Sequence, residues 1–215
     1  MKINLEIARK AIALETGAIG NGVLYRLCKD YPCHDNPDAI NAKVWLIGRS
    51  YAAAIERRKK YRNEPNDDFY KNRVVRMIRE SKIDQKLSTL KKYSFITEDN
   101  IPYILEVHNY LLDIFKKISG LEKRSLASKY LHFHFRNLFF IYDSRAKSAL
   151  LKISEKPKQF EHIISDNPRV DKEYADFFYR SFITKSKLEN KLREKMSPRQ
   201  FDNMLIMIKN DELRN

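Results

Sequence analysis

A chain of 215 residues, 43% hydrophobic and 12% aromatic, can bury a substantial core, which excludes an intrinsically disordered protein. Its 42 Lys and Arg against 28 Asp and Glu leave a formal charge of +14. Such self-repulsion points to an anionic partner, nucleic acid first, with an acidic protein or a generally Lys-rich proteome as the alternatives.

No apolar run approaches the ~20 residues needed to span a bilayer, and residues 1–17 lack the apolar centre of a signal peptide. A cytoplasmic protein without membrane contact is therefore expected. Cys28 and Cys33, with His34 beside the second, make one knuckle where structural zinc needs two, so no metal and no cofactor is expected.

Taken in order, the chain reads as about nine or ten helices and no strand. Residues 3–15 form an amphipathic helix with Leu5, Ala8, Ile12 and Leu14 inward. Gly17, Gly20 and Gly22 then suggest a turn or close backbone approach before a helix over Val23–Lys29. Asn36-Pro37-Asp38 is a strong helix start: an N-cap, a proline at the first helical position and an acid against the dipole. The +3/+4 recurrence of Ile40, Val44, Ile47, Tyr51 and Ile55 predicts a long helix from there. It would run out in Arg57, Arg58, Lys59, Lys60 and Arg62, more cations than a helix dipole explains, and these are candidate phosphate contacts.

A second basic helix is expected over 67–80, and residues 63–100 are the best place for a boundary between two closely packed lobes within one all-α unit spanning 1–215. Ile104, Val107, Leu111, Ile114 and Ile118 define a core helix ending at Gly120, with His108 beside its apolar face as a core histidine. Later come an aromatic helix carrying Tyr174, Phe177, Phe178 and Phe182, and a capping box, Ser197-Pro198-Arg199-Gln200, opening the last helix.

Between Gly120 and the aromatic helix lies the stretch that carries chemistry. Leu126, Tyr130 and Phe133 mark a buried helix, Asn137–Tyr142 is a short aromatic connection, and Asp143 opens a new helix faced by Ala146, Ala149 and Leu150. Asp143 has two compatible readings. One is an N-cap; the other is a catalytic carboxylate on the wall of a cleft.

Residues 105–150 resemble the helix-hairpin-helix (Gly-Pro-Asp) DNA glycosylases, in a divergent 8-oxoguanine-glycosylase-like form. The matching residues are Gly120-Leu121 for the hairpin, Arg124-Ser125-Leu126-Ala127-Ser128 for the following helix, and Phe140-Ile141-Tyr142-Asp143-Ser144-Arg145 for the segment with the aspartate. The hairpin keeps one glycine where the family usually has two. At the position of the family's nucleophilic lysine stands Ser125, which points to a monofunctional enzyme, with Lys129 one helical turn on and on the same side.

The resemblance implies Asp143 and Lys129 as catalytic candidates and Tyr142, His132, Tyr130 and Tyr51 as base-pocket candidates, with His132 and His134 facing alternate sides. Arg57, Arg58, Lys59, Lys60, Arg62, Lys123, Arg124 and Arg145 would hold the nucleic acid, DNA by this resemblance. Excision or recognition of a modified base is the leading expectation. The alternatives are a basic helical module that binds nucleic acid without chemistry, in repair or defence, and an interaction protein with an acidic partner. Metal-dependent phosphoester cleavage is disfavoured because the central region offers no acidic cluster besides Asp143.

Overall fold

The computed structural model describes residues 5–14, 19–60, 62–160 and 167–212. Among these residues the chain forms ten helices and no strand, as its periodicity predicts. In chain order they begin with α1 (Leu5–Ala13), α2 (Ile19–Asp30) and α3 (Pro37–Ser50). Next, α4 is built from abutting α, π and α segments, Asn66–Phe69, Tyr70–Val75 and Arg76–Arg79, followed by α5 (Ile83–Leu90). The others are α6 (Ile101–Ser119), α7 (Arg124–His134), α8 (Ser144–Ile153), α9 (Lys172–Leu192) and α10 (Pro198–Glu212). No helix among the described residues is long and apolar enough to cross a membrane.

The central element is α6, which buries Ile104, Leu105, Val107, His108, Leu111, Leu112, Phe115 and Ile118. Each such aliphatic or aromatic side chain taken fully from water stabilises by roughly 1.5–3 kcal/mol. His108 is a core residue, stacked on Tyr174 with ring centroids 3.6 Å apart, and burial pushes its pKa down to about 3. The helix stops at Gly120, whose φ of 75° lies in the left-handed region and whose N–H donates to Lys116 O. Buried residues from α1 to α10 join one hydrophobic cluster. Residues 63–100 are part of it through Phe69, Val74, Ile78, Ile83, Leu87 and Leu90.

Three local expectations are corrected. The long helix expected through Ile55 ends at Ser50. Ala52 takes a φ of 51°, Ala53 N donates to Gly48 O at 2.7 Å, and Ala54 Cα would lie 3.0 Å from a Cβ on Gly48. The chain thus doubles back over a residue with no side chain. Ile55 still reaches the core, and Glu56 accepts hydrogen bonds from Arg49 (2.5 Å) and Tyr70 OH (2.7 Å). Gly20 and Gly22 lie inside α2, with nothing but the Arg26 side chain near either. In α1 Ala8 and Ala11 are buried and Leu5 and Ile12 pack against the core, while Leu14 is exposed. Gly17 and Tyr61 fall outside the described residues.

The turn after α6 generates a stability prediction. A Cβ on Gly120 would sit 2.8 Å from Lys60 Cβ as well as in a left-handed conformation. Gly120→Ala should therefore cost at least about 1–2 kcal/mol, read as a lower urea midpoint with an unchanged slope.

Candidate functional site

The link from Leu138 to Tyr142 is buried, and α7 and α9 hold its backbone groups. His132 Nδ1 donates to Phe139 O (2.9 Å), and Tyr174 OH donates to Phe140 O (2.9 Å). Tyr142 N donates to Ser128 Oγ (3.0 Å), and Lys129 Nζ donates to Tyr142 O (2.9 Å). A non-helical backbone inside a core needs such partners, because an unpaired buried amide or carbonyl costs as much as a lost hydrogen bond. The link delivers Asp143 in an extended conformation at the N-cap of α8. Its Oδ1 accepts from Arg145 N (3.1 Å) and Ala146 N (2.9 Å).

The other oxygen of Asp143 faces Lys129. Nζ lies 3.3 Å from Asp143 Oδ2 and 2.8 Å from Ser125 Oγ, so Ser125 is a direct partner of the lysine one turn on. Lys129 is 1% exposed and Asp143 31%, which leaves the carboxylate open to solvent above a buried amine. Burial pushes the Lys129 pKa down, against the opposing pull of Asp143.

Around this pair stand Tyr51, a pocket candidate from the sequence, and groups that the sequence did not single out as a site. The Tyr51 ring is 5.7 Å from Lys129 Nζ, and the Phe133 ring is 5.7 Å from Tyr51. The buried Arg199 guanidinium lies 5.6 Å from each ring, so two rings and a planar cation pack into a corner beside the amine. Tyr51 OH donates to Asn21 Oδ1 (2.5 Å). Arg199 reaches this place because the Ser197–Gln200 capping box forms as expected and sets the first turn of α10 against α7.

Its companion Asp202 is 3.4 Å from Arg199 Nη1 through Oδ2. Arg199 Nη2 and Asp202 Oδ1 are buried without a hydrogen-bond partner. Burial raises the Asp202 pKa to about 6, with the charge of Asp143 adding to the rise. Each of these residues is ordinary in the sequence. Only their long-range association marks them.

Two expected pocket residues are corrected. Tyr130 is fully buried and its hydroxyl is bonded to His34 Nε2 (2.6 Å), whose Nδ1 meets Asp84 (2.6 Å). His132 is also fully buried. With Nδ1 donating to Phe139 O, its Nε2 accepts from Tyr25 OH (2.6 Å), and burial holds the ring neutral. Both serve the core. Tyr142 is buried and donates its hydroxyl to Glu173, which Lys147 also meets at 2.5 Å.

The cations divide in the same way. Lys59 is buried, donating to Glu64 O (2.5 Å) and Asn66 (3.1 Å) and lying over the Phe69 ring, so it is corrected from a surface contact to a structural lysine. Lys123 Nζ donates to Ala54 O and Arg57 O, tying the doubled-back chain to the start of α7. Arg124 grips Asp171 through two bonds (2.6 and 2.8 Å) and also meets Glu173. Arg145 is exposed and donates to Asn210. Arg57, Arg58, Lys60 and Arg62 are exposed, and Arg57 and Arg58 line a cleft of about 530 Å³ whose far wall is Ser125 and Tyr142. Those two supply the oxygens that hold Lys129.

No family model, curated protein or solved structure matches this chain.

The elevated Asp202 pKa has a pH signature. A group whose folded pKa is raised contributes stability that is full below its unfolded pKa, near 3.9, and lost as pH rises through its folded pKa, here about 6. Asp202→Asn, which cannot ionise, should escape that loss. Its stability relative to the wild type should improve by roughly 2–3 kcal/mol between pH 4 and 7, measured by urea unfolding at each pH.

Proposed function

We propose that this protein excises a modified base from DNA, with Lys129 and Asp143 as its catalytic pair. The observation that carries the proposal is the contact between Lys129 Nζ and Asp143 Oδ2, 3.3 Å long and placed beside the Tyr51–Phe133–Arg199 corner. A buried amine of lowered pKa next to a carboxylate is what an amine nucleophile requires. Aromatic faces with a planar cation suit an extruded base, and exposed cations beside the cleft suit its strand.

In this reading Asp143 takes the proton of the Lys129 ammonium, and the free amine attacks C1′ of the sugar. The bond from C1′ to the base breaks, the base leaves with the bonding electrons, and the proton on Asp143 passes to it. Asp143, again ionised, then stabilises the cationic sugar–lysine adduct; as the C1′–O4′ bond breaks, one N–H proton passes to O4′ and a protonated imine remains. The corner of Tyr51, Phe133 and Arg199 replaces Tyr130 and His132 as the base contact.

A second reading is favoured by the three partners already held by the Lys129 ammonium, Ser125 Oγ, Tyr142 O and Asp143 Oδ2. There Lys129 stays charged and water attacks C1′, as the serine at the lysine position led one to expect.

Borohydride separates the two. On DNA carrying 8-oxoguanine or another excised base, the amine route gives a covalent adduct that Lys129→Gln abolishes, while the water route gives base release without an adduct. Asp143→Asn should lower base release at least 100-fold by either route while DNA affinity stays within twofold. An Asn still caps α8 but turns its NH2 group toward the buried Lys129, so circular dichroism melts of the variant are needed to separate a chemical loss from unfolding. A wild type that binds DNA but releases no base from any lesion strand leaves the non-catalytic module as the answer.

A further inference from the structure

Phe133 also lines a second cleft, of about 540 Å³, which the proposed chemistry does not use. Its walls bring together Tyr25 from α2, Phe133 from α7 and Phe135 just beyond that helix, with Tyr25 and Phe133 ring centroids 4.8 Å apart. Its rim carries Lys29, Lys91 and Arg136, three exposed cations supplied by three separate parts of the chain. None of the three is ion-paired, and no carboxylate lines the cleft. His134 also lines it, but burial and the nearby Lys43 hold that ring neutral, so the charge of the cleft is that of its three cations. Aromatic faces inside a ring of unpaired cations complement one chemical object well: a flat, apolar-faced base joined to a phosphate. The volume is in the range of small-molecule sites.

We infer that this cleft binds a phosphorylated nucleotide unit, its base against Tyr25, Phe133 and Phe135 and its phosphate among Lys29, Lys91 and Arg136. Phe133 is shared with the corner beside Lys129, since its ring lies near both Tyr25 and Tyr51. The same aromatic residue therefore borders two places for a base. Stacking of successive bases on aromatic side chains within a basic groove is how single strands are held without sequence preference. The unit can come from two sources, a free nucleotide or the nucleotide neighbouring the one in the corner. Only the second rests on the proposed base excision.

Binding measured by fluorescence anisotropy and calorimetry tests both sources. The ligands are thymidine 5′-monophosphate, a single-stranded hexanucleotide carrying one 2-aminopurine, and a blunt duplex of the same sequence. The variants are Lys29→Ala/Lys91→Ala/Arg136→Ala and Phe135→Ala. For a strand source, the triple variant should bind the hexanucleotide at least tenfold more weakly, with a salt slope lower by about one per lost phosphate contact. The 2-aminopurine should be quenched on wild-type protein and regain fluorescence on Phe135→Ala, and the duplex should bind more weakly than the strand.

For a free-nucleotide source, the monophosphate binds, competes with the hexanucleotide and is lost in the triple variant. If both variants bind every ligand as the wild type does, or if 2-aminopurine keeps its free fluorescence on wild-type protein, no nucleotide unit occupies the cleft. Base release from a saturating lesion strand reports on the catalytic pair separately. A triple variant that retains the wild-type rate at saturation with weakened binding supports the cleft. A wild type that quenches 2-aminopurine but releases no base overturns the excision reading and leaves the cleft standing.

Discussion

The buried ammonium of Lys129 is the interaction around which the centre of this protein is arranged. An ionised lysine at 1% exposure is tolerated only where every N–H has an acceptor, and here the acceptors come from three places in the chain. Ser125 lies one turn back on the same helix, Tyr142 ends the apolar link, and Asp143 opens α8. The single cation thus fixes how α7, the link and α8 meet. Taking away the amine would leave a buried carbonyl and hydroxyl short of a donor, so structural and chemical roles cannot be separated at this position by deletion alone. That is why conservative replacements and a trapping reagent are more informative here than alanine.

Part of the basic charge expected to meet nucleic acid turns out to be internal mortar. Lys59, Lys123 and Arg124 hold the doubled-back chain, the turn after α6 and the start of α9 through backbone oxygens and carboxylates. Asp171 itself caps α9 by accepting from Tyr174 N, so the Arg124 fork steadies a helix start as well as a charge. Arg57, Arg58, Lys60 and Arg62 are exposed, the first two lining the Ser125–Tyr142 cleft, while Lys29, Lys91 and Arg136 stand around the cleft that Phe133 also lines. A cluster of cations in the sequence therefore mixes two populations that only tertiary contacts separate.

What was legible in the sequence was local. The start of α3 at Asn36-Pro37-Asp38, the Ser197–Gln200 box, the stop of α6 at Gly120 and the Asp143 cap all form as read, because each depends on residues within one turn of helix. The +3/+4 spacing of α6 is likewise sufficient for a helix surrounded by others. The end of α3 was missed because hydrophobic spacing continues through Tyr51 and Ile55, and the reversal depends on the missing side chain of Gly48 and a left-handed Ala52. The aromatic and histidine residues near Asp143 in sequence were overrated as pocket walls, since a helix turns Tyr130 and His132 into the core. Conversely Phe133, Arg199 and Asp202 could not be found from spacing, because α10 comes against α7 only through packing across more than fifty intervening residues.

Asp143 closes the N-terminus of α8 with one oxygen and meets Lys129 with the other. This double duty restricts how the protein can drift over evolutionary time. A descendant that gave up the contact with Lys129 could keep the helix cap through another side chain able to accept from the first-turn amides, such as Asn, Ser or Thr. Such a replacement would leave a polar residue at the head of α8, with the helix intact and the ancestry still readable in its place.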